Sequence, residues 1–565
     1  MTEMFKYATI LADESDKKIL GKLSCKESFV VEAGAGAGKT YSLIKVVDWL
    51  LKNEKKSFKS RNQKVACITY TNAAVEVIKK RLPENCFIIP STIHSFLWKS
   101  INMYQKYLVE FSNDLFKNYI EDKGKNFFNV TYTLGIRDIK DNTFYLYHDD
   151  VLKLFCKFME IEKFRKIFCS NYPIVLIDEY QDLNKLVYES FINNFISLKT
   201  GPQMIFFGDT WQSIYNTGYN KELKNLIPVE FKPVNFRSDL KIVDVLNKIR
   251  PLHRQVPAHD YNGQVLVITN NDFPINQRIK KGPSKGDLPV EEFQRREQIL
   301  NDYLKKLKGW NLSQTKELML THNLISQSNS FSELYKLIKT DGLKDKKNII
   351  FAFCSDIIEP IYEALSNKQY ERLFDILKSI PIISTKESKK KWKVLLEKLD
   401  KNRKKQVIDV LKVIYESEII PIPEEIINII TKYEKNIEII NENDKDLLNL
   451  NYIEIIEATK YVNNQTTYRT EHGVKGEEFE SVIVVVGRGW NNYKYDMYLP
   501  LECKKGDDNY NSYVRNRNLF YVSCSRAKKN LLLFVTVKVD EAFNQYLEKV
   551  FDAKCIFPFA DIDTE

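Results

Sequence analysis

The chain has 565 residues, of which 44% are hydrophobic and 28% are charged. This balance excludes an extended disordered chain, and the length predicts several domains because single hydrophobic cores stop growing well below this size. The net charge of +10, from 85 basic and 75 acidic residues, is compatible with an anionic polymer as partner but does not require one. The nine cysteines include no Cys-x-x-Cys pair, which argues against a zinc site, an iron–sulfur cluster or a disulfide framework.

The apolar segments are too short for a membrane protein. No stretch approaches the roughly 18 uninterrupted apolar residues of a membrane span. The first residues, Met-Thr-Glu-Met-Phe-Lys-Tyr, lack the basic-then-apolar order of a signal peptide. We therefore expect a cytoplasmic protein with no membrane partner.

Short apolar runs recur along the chain, each followed by a polar turn and often by a helical pattern. Such runs are typical of buried strands in parallel α/β sheets. They lie at 29–31, 65–70, 174–177, 204–207, 265–269, 318–321, 482–486 and 531–535. The stretches between the two groups of strands, about 97–170 and 340–460, are rich in helical pattern and poor in strands. The pattern predicts two parallel-sheet domains, each interrupted by a helical insertion.

The first of these strands leads into a glycine-rich loop that is followed by a helical pattern. Glycines can adopt the backbone angles that turn amide groups toward phosphate oxygens, and a helix start favours anions. Lys39 is expected to reach the β- and γ-phosphates, and the Thr40 hydroxyl to bind Mg²⁺. An incidental glycine-rich turn is the alternative. The predicted phosphate loop is Ala33, Gly34, Ala35, Gly36, Ala37, Gly38, Lys39 and Thr40.

An acidic pair follows the strand at 174–177. Asp178 at the strand end is expected to bind Mg²⁺ beside Thr40. Glu179 is expected to accept a proton from the attacking water. Taken alone, the pair could be a polar turn; together with the phosphate loop it predicts hydrolysis of a nucleoside triphosphate.

The sequence that continues from this pair, Asp-Glu-Tyr-Gln-Asp, resembles motif II of the superfamily 1 DNA helicases of the UvrD/Rep/PcrA group. The other motifs of the group follow in the same order along the chain. Segments similar to motifs Ia, Ib, III, IV, V and VI are residues 69–74, 92–96, 208–215, 235–238, 470–479 and 519–527.

The resemblance implies two RecA-like domains that hydrolyse ATP in the cleft between them, with ATP and Mg²⁺ as cofactors. Arg237 and Arg526 match the two arginine fingers, and Gln212 matches the residue that senses the γ-phosphate. Phe236 matches the position that stacks on adenine, and Glu478 the position that binds the ribose. The expected domains are 1A (1–96 and 171–235), the helical insertion 1B (97–170), 2A (236–340 and 461–565) and a reduced helical insertion 2B (341–460).

The resemblance also implies a track for single-stranded DNA and for single/double-strand junctions, with 3′→5′ movement. For His472 a packing role is an equal alternative. The residues that match strand-binding positions of the family are Tyr70, Thr71, Asn72, His94, Tyr215 and His472.

The chain departs from the family in several places. The segment 11–19 lacks the glutamine that relatives use to bind adenine, which leaves strict preference for ATP open. After Tyr215 the chain has Asn-Thr-Gly-Tyr where relatives continue into an aromatic-Arg-Gly segment, so Tyr219 is a substitute or the platform is missing. No nuclease domain is expected after motif VI, and any DNA cleavage would need a separate subunit.

Two functions therefore stay open. The first is an ATP-dependent translocase and helicase acting on single-stranded DNA. The second is a DNA- and nucleotide-sensing regulatory subunit with little unwinding activity of its own. The second rests on the compact insertions and on the altered motif III. Compact chains of this kind also resemble the helicase subunit of Gabija-type anti-phage systems, which pairs with an OLD-family nuclease.

Overall fold

The structure is a computed structural model that describes residues 3–84, 86–133, 137–214, 223–377, 385–435, 441–488 and 490–563. Two compact units divide the chain. The first contains residues 1–265, 503–530 and 549–551, and the second contains 266–502, 531–548 and 552–565. The four domain boundaries expected from the family stay a prediction, because a compact unit can hold parts of more than one family domain.

The strands are short, as buried parallel strands usually are. They are β1 (Phe29–Ala33), β2 (Val65–Thr69), β3 (Ile88–Thr92), β4 (Asn129–Tyr132), β5 (Asp138–Lys140), β6 (Thr143–Leu146), β7 (Ile174–Asp178), β8 (Gln203–Gly208), β9 (Val229–Lys232), β10 (Val234–Asn235), β11 (Val256–Pro257), β12 (Gln264–Thr269), β13 (Thr315–Met319), β14 (Tyr468–Thr470), β15 (Phe479–Val486), β16 (Ala527–Val535) and β17 (Ile556–Pro558).

Helices connect the strands and form the insertions. They are α1 (Glu3–Ser24), α2 (Lys39–Asn53), α3 (Lys55–Ser60), α4 (Asn72–Lys79), α5 (Ile93–Ile101), α6 (Gln105–Leu115), α7 (Lys117–Lys123), α8 (His148–Glu160), α9 (Glu162–Asn171), α10 (Lys185–Phe191), α11 (Leu223–Leu226), α12 (Leu240–Ile249), α13 (Val290–Lys306), α14 (His322–Ser328), α15 (Ser332–Lys344), α16 (Ile349–Phe353), α17 (Glu359–Ser366), α18 (Tyr370–Leu377), α19 (Lys386–Asn402), α20 (Val407–Ser417), α21 (Glu424–Glu434), α22 (Glu442–Asn449), α23 (Tyr452–Val462), α24 (Tyr495–Tyr498), α25 (Tyr510–Cys524), α26 (Glu541–Phe551) and α27 (Phe559–Asp563).

The sheet of the first unit has six strands in the order β3-β2-β7-β8-β1-β9, and every neighbouring pair is parallel. In register, Val31 of β1 lies opposite Phe207 of β8, which in turn lies opposite Asp178 of β7. The strands therefore end at one edge of the sheet. The phosphate loop, motif Ia, motif Ib, motif II and motif III all begin at this edge, where open α/β sheets bind ligands.

The second large sheet has the order β14-β13-β15-β16-β12-β17. Its central strand β15 is buried from Ser481 to Val486, and Leu531–Val535 of β16 are fully buried. The two six-stranded sheets, with parallel pairing and flanking helices, confirm the predicted α/β fold class.

Each sheet is interrupted by an insertion whose apolar core is continuous with residues of that sheet. Phe144, Phe155 and Phe158 belong to the core that extends from the first insertion to one face of the first sheet. Trp392, Leu411 and Tyr452 belong to the core of the second insertion, which within the described residues is entirely helical.

The first insertion also contains a small sheet, β4-β6-β5, that the sequence analysis did not predict. Its strands have three or four residues and no continuous apolar run. The antiparallel pair β5–β6 is joined by Asp141 and Asn142, which have φ angles of 48° and 56°. Two left-handed residues make a hairpin turn of the favoured hand, but without glycine the sequence signal for it is weak.

In the described part of the chain, no helix combines the length and the apolar composition that a membrane span needs.

Candidate nucleotide and nucleic-acid sites

The phosphate loop links the end of β1 to the first turn of α2. Gly36 and Gly38 have φ angles of 72° and 73°, which only glycine adopts without strain. A Cβ at Gly36 would lie 2.5 Å from the Asn235 side-chain oxygen, so this position also lacks room for any larger residue. Lys39 and Thr40 open α2, where the free amide groups of the first turn favour a bound anion.

Residues from two distant segments hold the loop backbone in place. The Phe236 amide donates to the Gly36 carbonyl at 2.8 Å, and the Asn235 side chain donates to the Ala35 carbonyl at 3.0 Å. The Ala35 amide donates to the Tyr521 hydroxyl at 3.1 Å. Phe236, the predicted adenine-stacking residue, thus lies beside the loop and keeps 39% of its surface exposed.

The acidic pair of motif II meets Lys39 directly. The Lys39 ammonium contacts the Glu179 carboxylate and lies 3.4 Å from Asp178 Oδ1. Burial lowers the pKa of Lys39, but the charges of Asp178 and Glu179 outweigh it and leave the pKa raised. Burial raises the pKa of Asp178, against the opposing charge of Lys39.

Glu179 has a backbone conformation that is rare outside glycine. Its φ of 51° turns the chain sharply after β7, so that Asp178 and Glu179 both face Lys39. The Gln181 side chain donates to Glu179 Oε2 at 2.5 Å, which fixes the carboxylate further. Strain of this kind persists only where the surroundings hold it, and it is frequent at functional sites.

Gln212 and Arg526, distant in sequence, meet in the first unit. The Gln212 side chain donates to Asp209 Oδ2 at 2.9 Å and accepts a contact from Arg526 Nη2 at 3.4 Å. Arg237 donates to the Ser525 carbonyl at 3.0 Å, next to Arg526 in the chain. The structure therefore brings all five predicted catalytic residues into the same unit as the phosphate loop.

The electrostatic setting of Arg526 favours an anion. Its side chain is 1% exposed, and burial, followed by the charge of Arg237, lowers its pKa to about 9. Two guanidinium groups that repel each other in a desolvated site gain most when a multiply charged anion binds between or beside them.

A buried ionic network behind the loop was missed by the sequence analysis. Arg250 contacts Glu32 Oε1 at 3.3 Å and Asp209 Oδ1 at 3.2 Å. Tyr180 donates to Glu32 at 2.9 Å, and Thr210 donates to the same carboxylate at 2.7 Å. Because Asp209 in turn accepts from Gln212, the network positions the predicted γ-phosphate sensor. A glutamate within the apolar run Phe-Val-Val-Glu-Ala was the available signal.

The segment that lacks the family glutamine lies in α1 and has a structural role at Asp16. This buried carboxylate accepts from Ser42 at 2.7 Å, and contacts Lys45 at 2.8 Å and Lys232 at 2.6 Å. Asp16 therefore ties α1 to α2 and to β9.

The predicted strand-binding residues of the first unit follow the ends of β2 and β3. Tyr70 is 48% exposed, and Thr71 and Asn72 are exposed at the start of α4, which Thr71 caps by accepting from the Ala74 amide at 3.2 Å. A cleft of about 390 Å³ is lined by Tyr70 and His94 and also by both motif II acids. The candidate strand-binding and hydrolytic residues thus share one cleft.

His94 is stacked on a second histidine from the first insertion. The rings of His94 and His148 have centroids 3.4 Å apart, and a 2.5 Å hydrogen bond joins His148 Nδ1 to the Tyr132 hydroxyl. Burial, followed by the charge of His148, lowers the pKa of His94 to about 4. His94 is therefore neutral at physiological pH and can contact a nucleotide by stacking or by a neutral hydrogen bond.

Two of the remaining predicted site residues lie in the second unit, and the others lie outside the described residues. His472 forms a 2.9 Å hydrogen bond with the Tyr493 hydroxyl, and burial lowers its pKa to about 4. Glu478 is exposed just before β15. Tyr215 and Tyr219 lie outside the described residues.

The donors in the first unit fit a nucleoside triphosphate with Mg²⁺. Magnesium usually takes one or two protein oxygens and completes its shell with phosphate oxygens and water. Thr40, exposed in the first turn of α2, and Asp178, beside Lys39, are such donors. Glycine at position 36 leaves the loop backbone open where a Cβ would collide.

Comparison with known proteins identifies an AAA domain and helicase-related relatives. A family model described as an AAA domain matches residues 16–218. The Gabija protein GajB of Bacillus cereus strain HuB5-5 is 23% identical over 97% of this chain and 98% of its own. GajB of Bacillus cereus strain VD045 is 23% identical over 92% and 95%. A probable DNA helicase II homolog of Mycoplasma capricolum is 24% identical over 48% of this chain and 47% of its own.

The two Gabija proteins align with more than nine tenths of this chain, and the helicase homolog aligns with about half of it. The chain is therefore similar to UvrD-like helicases, with a match to an AAA domain at residues 16–218 and to GajB proteins over nearly its whole length.

Proposed function

We propose that the chain is an ATP-dependent motor that moves 3′→5′ along single-stranded DNA and separates duplex strands. The observation that carries the proposal is the grouping of Lys39, Asp178 and Glu179 with the Gln212–Arg526 pair in one unit. An ion-binding or switch protein would need the phosphate loop and one acid, but a hydrolase also needs a base and cationic groups for the charge that develops on the γ-phosphate.

In the proposed hydrolysis, Lys39 exchanges its contact with Glu179 for the phosphate oxygens. The Glu179 carboxylate is then free to accept a proton from water. Thr40 and Asp178 would hold Mg²⁺, which neutralises phosphate charge when it is bound. Arg526 and Arg237 stabilise the γ-phosphoryl group.

Further residues, inside and outside the phosphate loop, are proposed to bind the nucleotide without taking part in the chemistry. Phe236 would stack on the base, and Glu478 would bind the ribose. Ala33, Gly34, Ala35, Gly36, Ala37 and Gly38 would contribute backbone amides or the space that the phosphates need.

Coupling to DNA is proposed to run through the shared cleft of the first unit. Tyr70 and His94 line the same 390 Å³ space as Asp178 and Glu179, so a strand bound at one side can move the acids at the other. Thr71, Asn72, Tyr215 and His472 are proposed as further strand contacts. Aromatic and uncharged imidazole side chains suit sequence-independent stacking on bases.

The test is ATP hydrolysis by the purified chain with and without single-stranded DNA. Lys39→Ala and Glu179→Gln should each lower the DNA-stimulated rate by about 10²–10⁴-fold, as for the loss of a phosphate-binding or general-base group. The exposed pair Lys79 and Glu76, 2.8 Å apart on α4, gives matched controls, and Lys79→Ala and Glu76→Gln should keep the wild-type rate. A wild-type rate in the Lys39 and Glu179 variants would refute the assignments.

The similarity to two Gabija proteins over nearly the whole chain favours a second candidate function. In this alternative, the chain senses DNA and nucleotide within an anti-phage complex and a separate OLD-family nuclease subunit performs cleavage. A duplex with a 3′ single-stranded tail distinguishes the two. Efficient strand separation by the chain alone supports the motor, whereas hydrolysis without separation, together with co-purification of a nuclease from the native host, supports the regulatory subunit.

A further inference from the structure

Trp490 and two further aromatic rings form a cluster in the second unit. The Trp490 ring centroid lies 5.0 Å from that of Tyr493 and 5.4 Å from that of His472, at interplanar angles of 57° and 48°. Tyr493 is 3% exposed, whereas Trp490 is 40% exposed. The Trp490 indole therefore packs against a buried tyrosine and a half-buried histidine, and part of its surface is exposed to solvent.

The cluster lies at the carboxyl ends of two strands that flank β13. His472 follows β14, and Trp490 follows β15, and both strands run parallel to β13. This edge of the second sheet is the counterpart of the edge that carries the phosphate loop in the first sheet. Ligands of open α/β sheets bind at such edges.

Hydrogen bonds hold the turn that carries the indole and the two rings on which the indole packs. The Tyr493 amide donates to the Trp490 carbonyl at 3.0 Å and closes a turn, and the Tyr493 hydroxyl is joined to His472 at 2.9 Å. Below this pair, the buried Tyr495 hydroxyl donates to the buried Glu471 carboxylate. An indole that packs on two held rings loses less side-chain entropy when a flat ligand stacks on it than an indole free in solvent.

We propose that Trp490, supported by His472 and Tyr493, is a stacking platform for one base of single-stranded DNA. The proposal rests on the proposed function and adds a strand-binding residue that lies in none of the family motifs. Every base has a π-face, so a single exposed indole can bind a strand without reading its sequence. Motif III lacks the aromatic-Arg-Gly segment here, which gives a second platform in the other unit a clear role.

The surroundings of Trp490 favour a nucleotide over a protein surface. The next two residues, Asn491 and Asn492, are exposed amides that can bond to base edges or phosphates, and Lys494 is half-buried beside them. His472 is neutral and supplies a second flat ring. A protein interface would instead centre on a continuous apolar patch. Met497 and Leu501, at 50% and 48% exposure, are the candidates for such a patch, and Met497→Ala tests this alternative.

The experiment measures the affinity of the full chain for a fluorescent oligothymidine. Trp490→Ala should weaken binding about tenfold, in line with the loss of one base–aromatic stack, and Trp490→Phe should restore it to within about threefold because a ring is kept. Tyr415→Ala, which removes a 48% exposed ring from α20 of the same unit, should leave the affinity unchanged.

A second set of oligonucleotides carries one abasic site at successive positions. In the wild-type chain, the abasic site should weaken binding most at the position over Trp490, and in Trp490→Ala this position should lose its effect. Such coupling is expected for stacking and not for a variant that is merely less stable. Wild-type affinity in Trp490→Ala, or an unchanged abasic profile, overturns the platform.

The outcomes separate the platform from the proposed function. If the wild-type chain does not bind single-stranded DNA at all, both the proposed motor function and the proposed Trp490 platform are refuted. If the wild type binds but Trp490→Ala binds equally well, only the platform is wrong. If Trp490→Ala and Met497→Ala both keep DNA affinity but lose a co-purifying subunit, the surface binds a protein and the platform is refuted.

Discussion

Arg250 connects two buried carboxylates that belong to different motifs. Glu32 precedes the phosphate loop and Asp209 begins motif III, and both are at most 1% exposed. Burial raises the pKa of Glu32, but the charges of Lys224 and Arg250 outweigh it and leave the pKa lowered. The guanidinium fork reaches both carboxylates, which a lysine could not do with the same geometry. At the residue scale, Arg250 is therefore a positioning residue for Gln212.

Removal of this guanidinium should destabilise the first unit. Arg250→Ala leaves two buried carboxylates without their shared cation, which costs about 3–5 kcal/mol of folding free energy. Arg250→Lys should recover part of the loss, because the charge is kept while one of the two contacts is not. Chemical unfolding followed by fluorescence measures both variants.

The control for Arg250 is a neighbouring ion pair on the surface of α12. Lys248→Ala breaks a 2.9 Å contact with Asp244, whose side chain is 53% exposed, and should cost no more than about 1 kcal/mol. If Arg250→Ala and Lys248→Ala lower the free energy of unfolding equally, the buried network contributes no more to stability than a surface ion pair.

At the scale of elements, the turn from β1 to α2 depends on Gly36 for two separate reasons. The φ angle of 72° strains any other residue, and a Cβ would collide with the Asn235 oxygen. Gly36→Ala should therefore weaken binding of a fluorescent ATP analogue with Mg²⁺ by at least about tenfold, because the loop must move away from its helix start. Equilibrium titration measures this.

Gly124→Ala is the matched control for strain alone. Gly124 has a φ of 59°, and nothing lies within 4 Å of a Cβ built on it. The left-handed backbone should cost each variant about 1–2 kcal/mol of stability, and the collision should add to the cost of Gly36→Ala. Only Gly36→Ala should lose nucleotide affinity. Equal affinity in the two variants would contradict the role assigned to the loop.

Local sequence patterns were sufficient to predict the strand–loop–helix elements and the fold class. The run before the phosphate loop and the run before Asp178 are continuous and apolar, so each predicts its own strand. The Glu32–Arg250–Asp209 network could not be predicted, because its members are far apart in sequence and meet only when β1, β8 and α12 are packed. The same holds for Asp16, whose acceptor role depends on Lys232 in β9.

At the scale of the whole molecule, the second unit contains a pH-sensitive pair that the proposed chemistry does not use. Glu297 of α13 and Glu317 of β13 hydrogen bond to each other, and Tyr468 of β14 donates to Glu297 at 2.8 Å. Both carboxyls line a cavity of about 380 Å³, together with Asp302 and Lys305. Burial, and for Glu317 also the charge of Glu297, raises the pKa of each carboxyl.

The sign of the pH dependence follows from these raised pKa values. The folded chain holds the shared proton more tightly than the unfolded chain, so the pair stabilises most below the ordinary glutamate pKa of 4.5 and this contribution is lost as the pH rises. Glu317→Gln should therefore raise the melting temperature by about 2–4 °C at pH 8 and by progressively less toward pH 4.5.

The exposed Glu333, paired with Lys336 at 2.6 Å, provides the comparison for Glu317. Glu333→Gln should change the melting temperature little at either pH. A Glu317→Gln variant that is less stable than the wild type at pH 8 would show that the carboxyl pair is not protonated in the folded chain.

If the chain is a DNA-driven motor, the residues of the first unit must hydrolyse ATP and DNA must accelerate this step. The net charge of +10 is a small excess for 565 residues, so we expect DNA binding to depend mainly on defined clefts and rings. The cleft of Tyr70 and His94 is the place where such binding would reach the acids of motif II. Arg526 is the residue on which the hydrolytic half of the account depends most.

The most direct measurement is single-turnover ATP hydrolysis by Arg526→Ala in the presence of saturating single-stranded DNA, with nucleotide affinity measured in parallel. The account predicts that nucleotide affinity changes only a few-fold while the hydrolysis rate falls by about 10³-fold or more, because the guanidinium acts on charge that develops in the transition state. Hydrolysis at the wild-type rate in this variant would contradict the account.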